Sequence, residues 1–167
     1  MAYLADWLAK ARAGRSCFTV VLTTRTLIPQ WFEESQVCFK DGEKPRVFIL
    51  ENAKITALEL INGDWDYMLA TYEFVMAQYK RKLKYEQYLK FAMTNRDPMA
   101  RKAYAKVNKL PSIPPLIVDE AHNLKNWRGV KHAAVKAMFY ASPEMITGTP
   151  LHNTWTDVPG LLNLLPK

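Results

Sequence analysis

Residues 115–126 read PLIVDEAHNLKN. Three apolar, largely β-branched residues, Leu116, Ile117 and Val118, run straight into two acids, Asp119 and Glu120. A continuous apolar run without alternation suits a strand covered on both faces, as in a parallel sheet. Open parallel sheets bind their ligands beyond the carboxyl ends of the strands. Two carboxylates delivered there suit a magnesium nucleotide, because magnesium takes hard oxygen ligands and keeps several of its waters. On this reading Asp119 holds the metal through a water, and Glu120 orients or deprotonates the water that attacks the γ-phosphate. Alone, the same run also describes a strand ending in a solvated acidic turn.

The flanking sequence repeats the pattern. Short apolar runs at 18–24 (FTVVLTT), 46–50 (RVFIL), 67–71 (YMLAT), 116–119 (LIVD) and 145–147 (MIT) predict strands. The segments between them predict helices over 3–13, 27–36, 52–61, 73–93, 99–109 and 130–140, with a last one ending near Leu165. Strands alternating with helices predict an α/β fold: an open, mainly parallel sheet with helices on both faces. Nothing strand-like precedes 3–13, so the chain is expected to open partway into an α/β unit. It reads as a single partial lobe over 1–167.

Charge separates one segment from the rest. From 80 to 109 the chain carries ten basic residues against Glu86 and Asp97, a local +8 against +7 for all 167 residues. Pro98, Pro111, Pro114 and Pro115 punctuate this stretch, which reads as a basic helical insertion over 76–112. Two readings stand open. The bases form a polyanion-binding arm, since Lys and Arg near phosphates release counterions. Or they are the solvated side of a helix whose apolar face is Tyr79, Leu83, Tyr85, Tyr88, Leu89 and Ala92.

Several classes are excluded on composition. Apolar residues make up 49% and charged residues 23%, which rules out a disordered tail. No apolar run is long enough to span a membrane, and residues 1–14 show no secretory cleavage pattern. Two cysteines, Cys17 and Cys38, make neither a disulfide framework nor a CxxC metal knuckle, and His122, His132 and His152 are too scattered for zinc.

A second block lies twenty-eight residues after Asp119: Thr147, Gly148, Thr149, Pro150, Leu151, His152 and Asn153. Two small hydroxyl residues at that strand end are able to contact the Asp-Glu-Ala-His loop or a nucleic-acid backbone.

DEAHNLKN and TGTPLHN together resemble motifs II and III of the Swi/Snf-type chromatin-remodelling ATPases of helicase superfamily two. Residues 20–34, VVLTTRTLIPQWFEE, resemble motif Ia; 65–75, WDYMLATYEFV, resemble the family's Thr-Thr-Tyr-Glu strand end; 153–166 resemble its Leu-rich helix after motif III. The resemblance implies an incomplete RecA-like, P-loop NTPase lobe with ATP and Mg2+ as cofactors. It implies double-stranded DNA or a nucleosome, and a second ATPase lobe, as partners, and a nuclear location. By position, Asp119 and Glu120 serve magnesium and hydrolysis. His122, Thr147, Gly148 and Thr149 couple nucleotide to DNA. Thr24, Arg25, Gln30, Thr71 and Tyr72 face the DNA backbone, and Lys80, Arg81, Lys82 and Lys84 lie near it. Trp31 is expected in the core.

Departures from the pattern shape the expectation. The family's Gly-rich loop ending Gly-Lys-Thr does not occur among these residues, and the six glycines, Gly14, Gly42, Gly63, Gly129, Gly148 and Gly160, make no G-x-x-x-x-G-K. Thr23-Thr24 stands where a proline is common, and His152 where a glutamine is. Without phosphate-cradling amides and their lysine, this polypeptide is expected to neither hydrolyse ATP nor move DNA by itself. The competing reading is a non-catalytic pseudo-ATPase that binds DNA or a protein partner through its basic insertion.

Overall fold

Five of the apolar runs become strands of one sheet. The structure, a computed structural model, describes residues 18–40, 42–51, 63, 65–94, 98–107, 115–138, 140, 143–149 and 158–165. In chain order these contain β1 (Thr19–Thr23), α1 (Ile28–Val37), β2 (Val47–Leu50), β3 (Tyr67–Thr71), α2 (Tyr72–Thr94), α3 (Pro98–Val107), β4 (Leu116–Val118), a 3-10 turn (Ala121–Leu124), α4 (Val130–Lys136), β5 (Pro143–Met145) and α5 (Val158–Leu162). The helices expected over 3–13 and 52–61 lie outside the described residues.

The strand order is β2-β3-β1-β4-β5, and every pairing is parallel. Alternate residues point to opposite faces, so each strand feeds two cores. Val20 and Leu22, Met68 and Ala70, and Leu116 and Val118 face one side, with Tyr72 of α2, Val135 of α4 and Leu164 after α5. Val21, Tyr67, Leu69 and Ile117 face the other, with Ile28 of α1 and the flank of Trp31. Both faces are therefore covered, as the unbroken apolar runs predicted.

Two expectations need correcting. The last strand is Pro143–Met145, so Ile146 and Thr147 lie just beyond it. Ile146 still pairs, its N–H donating to the Val118 carbonyl at 2.8 Å and its carbonyl accepting from Ala121 N–H at 2.9 Å. The helix expected over 130–140 stops at Lys136. Tyr140 leaves the helical path, and its hydroxyl donates to the Leu164 carbonyl at 2.5 Å.

Helix α2 also turns a different face inward. Leu89 is buried, and Val75, Tyr79, Lys82, Glu86 and Met93 share its row at helical spacing and are half-buried. Leu83, Tyr85 and Tyr88, expected on the apolar face, are exposed at 38%, 47% and 67%. The buried row contains a lysine and a glutamate that pair at 3.7 Å, Lys82 with Glu86, so charge content hid it in the sequence. Thr71 starts the helix: its hydroxyl accepts from Phe74 N–H at 3.0 Å, a side-chain cap on one of the unpaired first-turn donors. Helix α2 packs against α3 and α4.

Candidate active site

The carboxyl ends of β1, β4 and β5 are tied together at one level. Asp119 N–H donates to the Leu22 carbonyl at 2.8 Å, and the Ile146 bonds fasten the start of the next turn to β5. The two motifs that the sequence separates by twenty-eight residues thus meet at one rim.

Asp119 is 9% exposed and is held at every polar atom. Its Oδ2 accepts from the Thr23 hydroxyl at 2.9 Å and from the Trp31 indole N–H at 2.7 Å. Its Oδ1 accepts from the Glu120 amide at 2.9 Å. Its carbonyl accepts from the Tyr72 hydroxyl beneath it. Burial pushes the Tyr72 hydroxyl well above the ordinary phenol range, and the nearby Asp119, Glu120 and Glu73 charges push the same way, so it stays a donor.

Glu120 has left-handed backbone angles, φ 51 and ψ 46, the one positive φ outside glycine among the described residues. Such a residue costs about 1–2 kcal/mol, and such strain clusters at functional sites. Here Asn123 answers it: its amide N–H at 2.9 Å and its side-chain Nδ2 at 3.0 Å both donate to the Glu120 carbonyl. The Glu120 carboxylate lies 3.0 Å from His122 Nδ1, and the Thr147 hydroxyl lies 3.3 Å from that same nitrogen. Thr147 Oγ1 also accepts from Thr149 N–H at 3.3 Å.

An open cleft of about 480 Å³ borders this cluster, lined by Leu27, Gln30, Trp31, Glu34, Asp119 and Glu120. Its acid-bearing wall offers hard oxygen donors. Magnesium needs just one or two carboxylates, the rest of its shell being water and phosphate. Asp119 and Glu120, both on that wall, are a donor set that fits that habit. Asp119 and Glu120 are the residues that would hold magnesium and face an attacking water.

The remaining expected residues fall into separate places. Thr24 is half-buried, 3.1 Å from the Thr26 hydroxyl, while Arg25 and Gln30 are exposed around the start of α1. Gly148 and Thr149 are exposed, and a Cβ at Gly148 would meet nothing within 4 Å. Lys80, Arg81 and Lys84 are exposed on α2, with Lys80 about 12 Å of helix beyond Tyr72. Of these residues Gln30 alone lines the cleft with Asp119 and Glu120. Thr71 and Tyr72, expected to face DNA, are 9% and 1% exposed, one capping α2 and the other bonded under Asp119.

Sequence reasoning missed the parts played by Thr23 and Trp31. Trp31 does pack against the core, yet its N–H reaches Asp119. The available signal was general: a part-buried indole N–H finds an acceptor.

Behind the cluster, α5 braces the turn. His132 is 1% exposed, and its Nε2–H donates to the Gly160 carbonyl at 3.0 Å. Burial pulls its imidazole below the usual range and Lys136 adds to this, while the Gly160 bond works the other way. Lys136 Nζ donates to Asn163 Oδ1 at 2.5 Å. Gly160 lies against the Lys125 backbone, one residue past the 3-10 turn that carries His122; a Cβ there would stand 2.0 Å from the Lys125 carbonyl oxygen.

Comparison with known proteins agrees with this fold. Among solved structures the chain is similar to the Sulfolobus solfataricus SWI2/SNF2 ATPase core in complex with dsDNA, with a TM-score of 0.59 and 19% identity. That match covers 95% of this chain and 27% of the other, and at such identity it speaks for the fold. The SNF2-related domain model matches residues 3–167. With the strand-end carboxylates, the parallel lobe and that match in agreement, the chain belongs to the SNF2-related domain family, as a Swi/Snf-type, helicase-like N-terminal lobe.

Proposed function

We propose that this lobe supplies half of the ATP site of a motor that tracks along duplex DNA. The observation that carries the reading is the meeting of Asp119, Glu120, His122 and Thr147 at the ends of β4 and β5. Bound magnesium would shield charge on the phosphates and fix their orientation. Asp119 would hold the metal through a water, with Oδ1 as the oxygen that still has an acceptor site to offer. Glu120 polarises the attacking water once its carboxylate leaves His122 Nδ1. His122 and Thr147, within 3.3 Å, tie that event to the neighbouring strand end, which Gly148 and Thr149 expose. Arg25 and Gln30, exposed around the start of α1, would take DNA phosphates together with Thr24, and the exposed Lys80, Arg81 and Lys84 would extend that basic surface along α2. The solved relative carries dsDNA. Remodelling of nucleosomes in the nucleus goes with the same reading, as does a second lobe that closes on the nucleotide.

A second reading has its own support, the 3.0 Å contact between the Glu120 carboxylate and His122 Nδ1. On that reading the polypeptide is a binding module in which Glu120 stays with His122.

One set of assays tests both. Duplex binding by fluorescence anisotropy is expected to weaken steeply between about 50 and about 200 mM salt, and to weaken again in Arg25→Ala and in Lys80→Ala/Arg81→Ala/Lys84→Ala. Phosphate release by this polypeptide with MgATP and DNA is expected to stay at background. No duplex binding at low salt refutes the DNA reading. Turnover that Glu120→Gln abolishes refutes the inactivity of the isolated chain.

A further inference from the structure

Trp31 and Thr23 share one partner, and that partner is the carboxylate assigned to the metal. Each carboxylate oxygen offers about two acceptor sites. Both sites of Oδ2 are taken, by the indole N–H at 2.7 Å and the hydroxyl at 2.9 Å. Oδ1 takes a single donor, the Glu120 amide at 2.9 Å, and has one site left. The two oxygens are therefore not equivalent, and Oδ1 is the one able to meet a metal-bound water.

The donors also come from different elements. Thr23 ends β1, which is locked in the sheet. Trp31 sits on α1, beside the exposed Gln30 and a few residues past the exposed Arg25. A helix held to a carboxylate by an indole N–H cannot shift along its axis without turning that carboxylate or breaking the bond.

We propose that Trp31, assisted by Thr23, is a positioning residue for Asp119: the two donors lock Oδ2, turn Oδ1 toward a divalent cation, and make the setting of that oxygen follow the setting of α1. This rests on the reading of Asp119 as the metal-bearing carboxylate. Because Asp119 reaches the metal through a water, it is itself an outer-shell group; losing such groups typically costs about 10- to 100-fold in metal affinity, and the donors that orient Asp119 act at the low end of that range.

The test uses the 167-residue chain and Mn2+ alone, as a paramagnetic stand-in for magnesium. Free Mn2+ is followed by electron paramagnetic resonance. The five tryptophan indole N–H cross-peaks are followed by 1H–15N NMR, with Trp31 assigned by its loss in Trp31→Phe. In the unsubstituted chain the Trp31 cross-peak broadens first, and Asp119→Asn removes that effect. Trp31→Phe and Thr23→Val each weaken the Asp119-dependent site about 10-fold. Trp31→Phe adds no further loss to Asp119→Asn, the signature of one coupled unit. A purely packing role for Trp31 predicts a lower melting temperature with unchanged Mn2+ affinity. Wild-type affinity in both Trp31→Phe and Thr23→Val, with loss in Asp119→Asn, overturns the positioning role and leaves the metal assignment standing. Should Trp31→Phe not fold, Thr23→Val decides alone. Mn2+ binding that ignores Asp119→Asn overturns the metal assignment, and this proposal with it.

Discussion

Gly160→Ala is expected to be among the most damaging small substitutions in the described lobe. The added methyl would stand 2.0 Å from the Lys125 carbonyl oxygen, with the Lys125 carbonyl carbon at 2.7 Å and Cα at 3.0 Å. All three are backbone atoms, so no side-chain rotation relieves the overlap, and contact distance requires a displacement of about 1 Å or more. Two responses are open. If α5 stays docked, overpacking strain of about 1–3 kcal/mol results. If α5 lifts away, the 2%-exposed Leu164 loses burial worth about 2 kcal/mol. His132 then also loses its 3.0 Å acceptor, at about 1–3 kcal/mol for an unpaired buried donor. The cheaper response sets the outcome, so the loss is about 1–3 kcal/mol. For a chain of this size that is a fall in melting temperature of about 3–10 °C. Circular dichroism melts and urea titrations of both proteins give the measurement. A melting temperature within about 1 °C of the unsubstituted protein refutes the claim that α5 seats against the Lys125 backbone.

Three further outcomes follow from the same contacts. Thr71→Ala removes the hydroxyl that accepts from Phe74 N–H and should cost about 1 kcal/mol in urea titration, with Thr71→Ser recovering most of it. His132 has a folded pKa below its unfolded value, so the unfolded chain binds the extra proton first as pH falls. Its contribution is fully present above about pH 6.5 and declines as pH drops through that value toward the lower folded pKa; His132→Gln should flatten the stability profile between about pH 7 and about pH 5. Gly148→Ala meets open space and should change stability by no more than about 0.5 kcal/mol, and a larger loss would show that the exposed turn is packed.

The fold was readable because burial on both sheet faces leaves a plain mark, unbroken apolar runs ending in turn residues. All five expected strands are present, shifted by a residue or two, and His122, three positions after Asp119, lies 3.3 Å from the Thr147 hydroxyl. The cluster was legible because its members occur in two short blocks. Less was legible where a side chain has two faces. Trp31 packs with one and bonds Asp119 with the other, and hydrophobicity registers the first alone. Tyr72 follows a strand end that the family resemblance places toward DNA, yet the chain enters α2 directly there and turns its ring inward. On α2 the aromatic residues Tyr85 and Tyr88 outweighed Lys82 and Glu86 in the pattern, although the ion pair lets the latter two face the protein.

The register of β1 has a consequence for how the chain is made. Its neighbours on either side come from far downstream: Val20 pairs with Met68 on one edge and with Leu116 on the other, ninety-six positions later. At about 5–20 residues per second, a ribosome needs about 5–20 s between synthesising β1 and supplying β4. During that interval the most central strand carries an open hydrogen-bonding edge and an apolar surface on a nascent chain, which is the condition that favours chaperone capture and strand-to-strand aggregation.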